Sequence, residues 1–338
     1  MALGAARPRR RGDRIIRRRD FITLLGGAAA LAPLAAYAQE PDRVYRLGIL
    51  HQLPRSAAQF ATLLDGLRRQ GFLEGRNLAV DPRGFDSRSE QYQERAADII
   101  KSGVDVLFCG GDATLRAAQQ VTRTVPIVGV ADDMVGSGLV ASLGRPGGNT
   151  TGFSILATEL DSKRQEVLIE LVPGARRMAV LFDPTSKSPA QLQPMVDAAR
   201  ASGIELSTHR VTSAEGIVAA IDAAQSAGAA ALNVLASVLL NSNRQIIFER
   251  VAMLRMPAIY QFPESAEQGG FAGYGPRLDH VYWQAASLVA RVFRGERPQD
   301  MPVEQPTKFE LVINLKTAKA IGSTIPETFL IRADMVIE

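Results

Sequence analysis

The stretch that decides the fold lies at residues 131–154 and reads ADDMVGSGLVASLGRPGGNTTGFS. It follows an apolar run at residues 125–130, which predicts the last strand of one α/β layer, and a second series of strands begins near Met178. Three glycines and a proline within residues 144–148 allow a sharp turn and a rotation of the backbone. The stretch therefore predicts a crossing between two lobes.

On both sides of this stretch, predicted strands and helices alternate as they do in βαβ units. The alternation predicts an α/β fold of two Rossmann-like doubly wound lobes joined by several hinge crossings. A glycine-rich segment at residues 269–275 and an extended segment at residues 303–315 predict the second and third crossings. We expect an N-terminal lobe of residues 39–152 plus about 276–302, and a C-terminal lobe of residues 153–275 plus about 303–338.

The excess positive charge of the chain comes from residues 1–38. The net charge is +4 overall, but residues 1–38 contain eight arginines and two aspartates, which leaves 31 basic and 33 acidic residues beyond them. A near-neutral remainder argues against a nucleic-acid partner. Residues 1–38 have the basic start, apolar middle and small residues of an export signal, with a twin-arginine pattern at Arg18-Arg19. We expect cleavage after Ala38 and a periplasmic protein; a basic tail or an uncleaved anchor are the alternatives.

Patterns typical of catalysis are missing. The turn after the first strand lacks the glycines of a dinucleotide site, no phosphate-binding P-loop occurs, and the three histidines have no metal-ligand spacing. Cys109, the single cysteine, lies in an apolar run and is expected to be a buried hydrophobic residue. The sequence therefore predicts no catalytic residue, no metal and no cofactor, and the chain is not expected to be an enzyme.

Three segments of the chain carry a family resemblance. They read RDFITLLGG at residues 19–27, GLV through PGGNTTG at residues 138–152, and QPTKFELVINLKTA at residues 305–318. With the order of elements between them, they cover essentially the whole chain and resemble bacterial ABC-transporter substrate-binding proteins of the tryptophan-transporter-like type. The resemblance implies the type I periplasmic binding protein fold, a clamshell. It also implies a monomer that captures an amino acid or similar small organic molecule and delivers it to an ABC permease in the inner membrane.

The chain departs from the family pattern at two loops. Family members often carry Asp-Pro where this chain has Asp133-Met134, and often an acidic residue where it has Ala236-Ser237-Val238. We take Ser237 as the candidate ligand contact in the second loop.

An amino-acid-like ligand would bring a carboxylate and an ammonium into the cleft. Two predicted turns could bind the carboxylate through free amides: Gly111, Asp112, Ala113 and Thr114 in the first lobe, and Thr185 and Ser186 in the second. Asp112 as a helix N-cap and Thr114 as an ordinary first-turn residue are the alternative interpretations.

Asp133 is the predicted partner of the ammonium, because it follows a strand that ends at the cleft. Asp183 is a second candidate, and the alternatives are a solvated loop acid for Asp133 and an Asp-Pro turn for Asp183. Tyr260 and Tyr274 could form aromatic walls or pack in the core. Gln52, directly after the first strand, is a further polar candidate.

Two other functions stay open at this point. A ligand-sensing module for a membrane receptor would use the same fold, and a periplasmic α/β enzyme would turn its bound compound over.

Overall fold

The computed structural model describes residues 43–338, and the predicted leader with its cleavage after Ala38 lies outside the described residues. Residues 44–338 form one compact unit. Its strands form two separate sheets, of five and seven strands. The fold class predicted from the sequence, an α/β chain of two lobes, is confirmed.

The N-terminal sheet is parallel, with the strand order β2-β1-β3-β4-β5. Its strands are β1 (Tyr45–Leu50), β2 (Leu78–Val80), β3 (Val106–Gly110), β4 (Ile127–Ala131) and β5 (Thr150–Ser154), with helices α1 (Ala58–Arg69), α2 (Tyr92–Lys101) and α3 (Asp112–Val121). In β3, Val106 and Phe108 pack in one hydrophobic core, and Leu107 and Cys109 in another. Burial on both faces explains why this strand is a continuous apolar run.

The C-terminal sheet has the order β12-β11-β10-β9-β8-β6-β7, and only the β10–β11 pair is antiparallel. Its strands are β6 (Arg177–Phe182), β7 (Glu205–Arg210), β8 (Leu232–Val234), β9 (Ala258–Tyr260), β10 (Ala272–Gly275), β11 (Glu310–Asn314) and β12 (Met335–Ile337). The helices after residue 154 are α4 (Ala157–Leu171), α5 (Pro189–Ala201), α6 (Gly216–Ser226), α7 (Val238–Ser242), α8 (Arg244–Met253), α9 (Pro263–Glu267), α10 (Leu278–Phe293), α11 (Leu315–Ile321) and α12 (Glu327–Leu330).

Helix α10 returns to the N-terminal lobe although it follows a strand of the C-terminal sheet. Its buried residues, such as Val281 and Val289, share a core with β1, β3 and α1. It crosses α1 at small residues, because a Cβ atom on Gly66 would lie 2.6 Å from Cβ of Ala286. The N-terminal lobe is therefore built from two separate parts of the chain.

The first crossing between the lobes lies just after the stretch predicted for it. Residues 132–149 form turns and return to the N-terminal sheet, where β5 pairs with β4. The chain then leaves at Ile155 and Leu156, and Leu156 adopts the left-handed conformation with φ 57°. Hydropathy does not indicate β5, because Thr150–Ser154 is mostly polar and contains a glycine.

The second and third crossings lie next to the segments predicted for them. Strands β10 and β11 belong to the C-terminal sheet, so the chain crosses at residues 276–277 and again between α10 and β11. In the last crossing Glu304 pairs with β5, since its amide donates to the Gly152 carbonyl and its carbonyl accepts from the Ser154 amide, both at 2.9 Å.

Candidate ligand-binding site

A small cavity lies where the carboxyl ends of the strands of the two sheets meet. The N-terminal lobe contributes His51, Gly111, Asp132 and Tyr282 to its wall, and the C-terminal lobe contributes residues that include Ser237, Val238, Gln261 and Phe262. Its volume is about 50 Å³. One enclosed water needs about 10–15 Å³, so the cavity has room for a few waters and not for an amino acid. The cleft is therefore closed in this structure.

Asp132, the residue after β4, is the acid on the cavity wall. Its amide donates to Oδ1 of Asp112 at 3.1 Å and its carbonyl accepts from the Ala157 amide at 3.0 Å. Its carboxylate is partly exposed and has no hydrogen-bond or ion-pair partner among residues 43–338. Burial, and then the negative charge of Asp112, raise the pKa of Asp132 to about 8. A cationic group in the cavity would find an acceptor here.

Gly111 and the first turn of α3 form the neighbouring part of the wall. Gly111 has φ 99°, and a Cβ atom there would lie 2.8 Å from Cγ2 of Val238 in the other lobe, so this approach of the lobes requires a glycine. The amides of Asp112, Ala113 and Thr114 have no partner in the described part of the chain. A helix N-terminus with three free amides favours an anion.

The side chains of Asp112 and Thr114 are used within the lobe. Asp112 is 5% exposed, and its carboxylate accepts from the Asp132 amide and from Oγ of Ser137. Burial raises its pKa, and the bond from Ser137 opposes that rise. Oγ1 of Thr114 donates to the Gly111 carbonyl at 2.8 Å. Both side chains therefore fix the turn that presents the amides.

Ser237 lies on the cavity wall and is hydrogen-bonded to the loop after β6. Its hydroxyl donates to Oδ2 of Asp183 at 2.8 Å and accepts from the Leu240 amide at 3.3 Å. The other oxygen of Asp183 accepts from the amide and hydroxyl of Thr185, at 2.8 and 2.7 Å, and the Ser186 amide donates to the Asp183 carbonyl at 3.2 Å. The structure thus brings Ser237 to the cavity and places Asp183, Thr185 and Ser186 behind it.

Two other predicted polar contacts lie away from the cavity wall. Oδ1 of Asp133 accepts from the Gly136 amide at 2.8 Å, so the carboxylate folds onto its own loop. The Gln52 amide donates to Oγ of Ser242 in the other lobe at 3.3 Å and accepts from the Tyr92 hydroxyl at 3.4 Å. Gln52 therefore connects the two lobes in the closed form. The structure thus places the Asp133 carboxylate within its own loop and off the cavity wall, and a ligand contact at Gln52 stays a prediction.

The two predicted aromatic walls pack inside the C-terminal lobe. Tyr260 is 2% exposed and lies edge-on against Phe248, with ring centroids 4.9 Å apart. Tyr274 is partly buried and packs against a hydrophobic core, and its carbonyl accepts from Arg164. The aromatic rings that do line the cavity are Phe262, Tyr282 and the imidazole of His51, which the sequence analysis had not selected as ligand contacts.

Charged groups of the C-terminal lobe lie buried near the cavity. Asp161 on α4 forms ion pairs with Arg164, one turn further along the helix, and with Lys187 after β6. None of the three side chains is more than 4% exposed. Lys187 and Arg164 lower the pKa of Asp132, and Asp161 raises it, but burial outweighs all three. We call these three residues the buried charge cluster.

The described residues contain neither a candidate metal site nor a membrane-spanning helix. No group of three or more His, Cys, Asp or Glu side chains there could hold a metal ion. Among residues 43–338, no helix combines the length and the apolar character needed to cross a bilayer.

The family of proteins described as ABC transporter substrate binding protein matches residues 53–337 of this chain. The tyrosine-binding protein of Clostridioides difficile (strain R20291) is 25% identical over 260 residues, which are 76% of this chain and 74% of that protein.

Two solved structures have a similar fold. A conserved domain protein from Vibrio cholerae gives a TM-score of 0.78 at 25% identity, over 87% of this chain and 99% of that chain. An ABC domain from Streptococcus pneumoniae, in complex with L-Trp, gives a TM-score of 0.76 at 21% identity, over 87% of this chain and 100% of the other. The fold is that of the type I periplasmic binding proteins, as the resemblance implied.

Proposed function

This chain belongs to the family of ABC transporter substrate-binding proteins, and we propose that it captures an aromatic amino acid between its lobes. Family membership makes it a binding protein, not an enzyme, and a component of an ABC transporter with a small solute as its ligand. The observation that carries the choice of ligand is the unpartnered carboxylate of Asp132 on the cavity wall, next to the free amides of α3.

Asp132 binds the ammonium of the ligand in this proposal. An ionised carboxylate enclosed without a partner costs free energy, and an ammonium removes that cost with a charge-assisted hydrogen bond. Among the described residues, no lysine or arginine on the cavity wall could occupy the position of the ligand ammonium beside Asp132.

The ligand carboxylate binds at the first turn of α3. The amides of Asp112, Ala113 and Thr114 are free, and the Asp112 carboxylate points toward the Asp132 amide and Ser137. This orientation leaves the amides open to an anion. The Ser237 hydroxyl on the opposite wall donates to Asp183 and orders the loop there.

An aromatic side chain fits the remaining wall, where Leu53, Phe262 and Leu278 are apolar. One relative is named tyrosine-binding protein, and the structure of a protein with the same fold was solved in complex with L-Trp. Since the closed cavity is too small for either, the ligand enters while the lobes are apart and stabilises the closed form by its higher affinity for it. The bodies that move are the two lobes, which are joined at residues 155–156, at residues 276–277 and between α10 and β11.

The proposed delivery of the ligand to a permease rests on membership of the ABC transporter substrate-binding family. We propose that the chain acts as a monomer in the periplasm after cleavage behind Ala38, and that the closed form is recognised by the ABC permease in the inner membrane. No nucleic acid and no cofactor take part.

Calorimetric titration of residues 39–338 with amino-acid analogues tests the proposal. We expect L-tyrosine or L-tryptophan to bind with a dissociation constant of roughly micromolar, about −8 kcal/mol. Tyramine lacks the carboxylate and N-acetyl-L-tyrosine lacks the ammonium, so both should bind much more weakly. Equal binding of tyrosine and N-acetyl-L-tyrosine, or no binding of any aromatic amino acid, would contradict the proposal.

Ligand binding should release a proton below pH 8. In the free protein Asp132 is largely protonated there, because its pKa is raised to about 8, and an ammonium requires the ionised form. We expect the affinity for L-tyrosine to rise between pH 6 and 8 by up to about tenfold per pH unit. Titrations at pH 6.5 in two buffers of different ionisation enthalpy should give about one proton released per ligand, by the linkage relation. A pH-independent affinity over this range would be evidence against the assignment.

The raised pKa of Asp132 also makes the stability of the ligand-free protein depend on pH. The pKa of Asp132 in the folded state lies above the usual aspartate value of about 3.9, so the group favours the folded state fully below about pH 4. That contribution is lost as the pH rises through 8. We expect the free energy of unfolding of the ligand-free protein to contain a component that falls over this window and is missing in Asp132→Asn.

A further inference from the structure

His51 and Tyr282 form a buried pair on the cavity wall. They are 231 residues apart in sequence, and Nε2 of His51 lies 3.1 Å from the Tyr282 hydroxyl. His51 is 1% and Tyr282 4% exposed. The rings of Phe60 and Phe108 surround them, with centroids 6.3 and 5.8 Å from that of Tyr282. The pair is therefore held rigidly by its neighbours.

The hydrogen bonds of His51 determine which atom donates the hydrogen between His51 and Tyr282. The Leu53 amide donates to Nδ1 of His51 at 3.0 Å, so Nδ1 carries no proton. Burial lowers the pKa of His51 to about 3, so the ring is neutral at physiological pH and its single proton sits on Nε2. Nε2 then donates to Tyr282, and the hydroxyl hydrogen of Tyr282 stays available.

No acceptor for this hydrogen is present in the described part of the chain, since the Tyr282 hydroxyl is within hydrogen-bond distance of His51 alone. A buried donor without an acceptor costs free energy, and a ligand oxygen would remove that cost. Tyr282 is thus a fixed donor on the wall, as Asp132 is a fixed acceptor.

Tyr282, through its contact with His51, and Asp132 lie beside the carboxyl ends of two different strands of the N-terminal sheet. His51 follows β1, Asp132 follows β4, and β3 lies between these strands. Adjacent strands are about 4.8 Å apart, so the two strand ends are separated by roughly 10 Å. A ligand whose ammonium meets Asp132 therefore points its side chain toward Tyr282.

We propose that Tyr282, oriented by His51, donates a hydrogen bond to the phenolic oxygen of the ligand, so that the site prefers tyrosine to phenylalanine. This inference rests on the proposed function. A neutral oxygen suits the position, because Phe262, Leu53 and Leu278 supply no positive charge for a carboxylate there. The free amides of α3 are the better place for the carboxylate. His51 acts as a positioning residue.

The affinities of the protein for L-tyrosine and L-phenylalanine test the inference. We expect the wild type to bind tyrosine roughly tenfold more tightly or better, because phenylalanine leaves the buried Tyr282 donor unpaired. In Tyr282→Phe the ratio should fall to about one, because tyrosine loses its hydrogen bond and phenylalanine no longer leaves a buried donor unpaired. His51→Ala should also lower the ratio, which a purely structural role of His51 would not change.

Tyr92→Phe is the matched control. It removes a tyrosine hydroxyl that contacts Gln52 and lies outside the cavity wall, so the ratio should stay at the wild-type value. A wild type that binds both amino acids equally, or a Tyr282→Phe variant that keeps the preference, overturns the inference and leaves the proposed function intact. The wild-type comparison needs no variant to fold. Failure of the wild type to bind either amino acid overturns both.

Discussion

Replacing Asp132 with asparagine should weaken the binding of L-tyrosine by about 10- to 100-fold, the effect of losing one charge-assisted hydrogen bond. The carboxamide has nearly the same shape and keeps an oxygen acceptor, so the change removes the negative charge and little else. Since the carboxylate of Asp132 has no partner among the described residues, no internal hydrogen bond is lost. Calorimetric titration at pH 8 measures the effect.

The melting temperature of ligand-free Asp132→Asn at pH 8 separates binding from folding. An enclosed carboxylate with a raised pKa destabilises the folded state when it ionises, so the neutral variant should melt at the wild-type temperature or above. A variant that binds weakly because it is misfolded would melt lower. Full wild-type affinity in this variant would remove Asp132 from the site.

Asp133→Asn is the control in the adjacent position. Its Oδ1 accepts from the Gly136 amide, and asparagine keeps that acceptor, so the loop should be preserved. We expect the affinity for L-tyrosine to change less than twofold. The two variants differ by one position and remove the same charge, and a large loss at Asp133 with none at Asp132 would reverse the assignment.

Asp132 and Asp133 are neighbours in sequence but differ in their position relative to the cavity. The rule that ligands bind at the carboxyl ends of strands selected the loop that borders the cavity. The choice between neighbours depends on where β4 ends, at Ala131, and on the turn that folds Asp133 back onto Gly136. An error of one residue in a strand end exchanges an inward side chain for an outward one, and hydropathy does not resolve strand ends to that precision.

The aromatic wall could not be derived from periodicity. Tyr260 was a candidate because it ends a strand, but its ring faces Phe248 in the core of the C-terminal lobe. Tyr282 lies on a helix whose apolar spacing indicates core packing, and most of its ring is indeed packed there. It lies on the cavity wall beside His51, a residue 231 positions earlier in the sequence, and periodicity does not show that contact.

The segment of the family resemblance at residues 138–152 builds part of the frame of the cleft. Asn149 donates to the Val125 carbonyl at 2.7 Å, and Thr151 donates to the Met301 carbonyl at 2.8 Å. A Cβ atom on Gly152 would lie 2.0 Å from the Gly129 carbonyl oxygen. These residues hold β5 and the third crossing, whereas the cavity wall is formed by other loops. The frame was therefore easier to predict than the ligand contacts.

Of the substitutions considered, Asp161→Ala should cause the largest fall in the free energy of unfolding. Asp161→Ala leaves Arg164 and Lys187 buried, at 1% and 3% side-chain exposure, without the carboxylate that pairs with both. Removing one partner of a buried ion pair typically costs about 3–5 kcal/mol. Urea unfolding followed by circular dichroism should show this loss as a lower midpoint.

Asp197→Ala is the matched control for Asp161→Ala, because Asp197 and Arg200 form an ion pair with the same helical spacing as Asp161 and Arg164. The control pair is exposed, 55% at Asp197 and 74% at Arg200, so water and salt screen it and the expected cost is below about 1 kcal/mol. Equal destabilisation by the two variants would show that the buried charge cluster is no more important to stability than a surface pair. A large difference would show that Asp161 stabilises two buried cations, Arg164 and Lys187, which are among the charges that act on the pKa of Asp132.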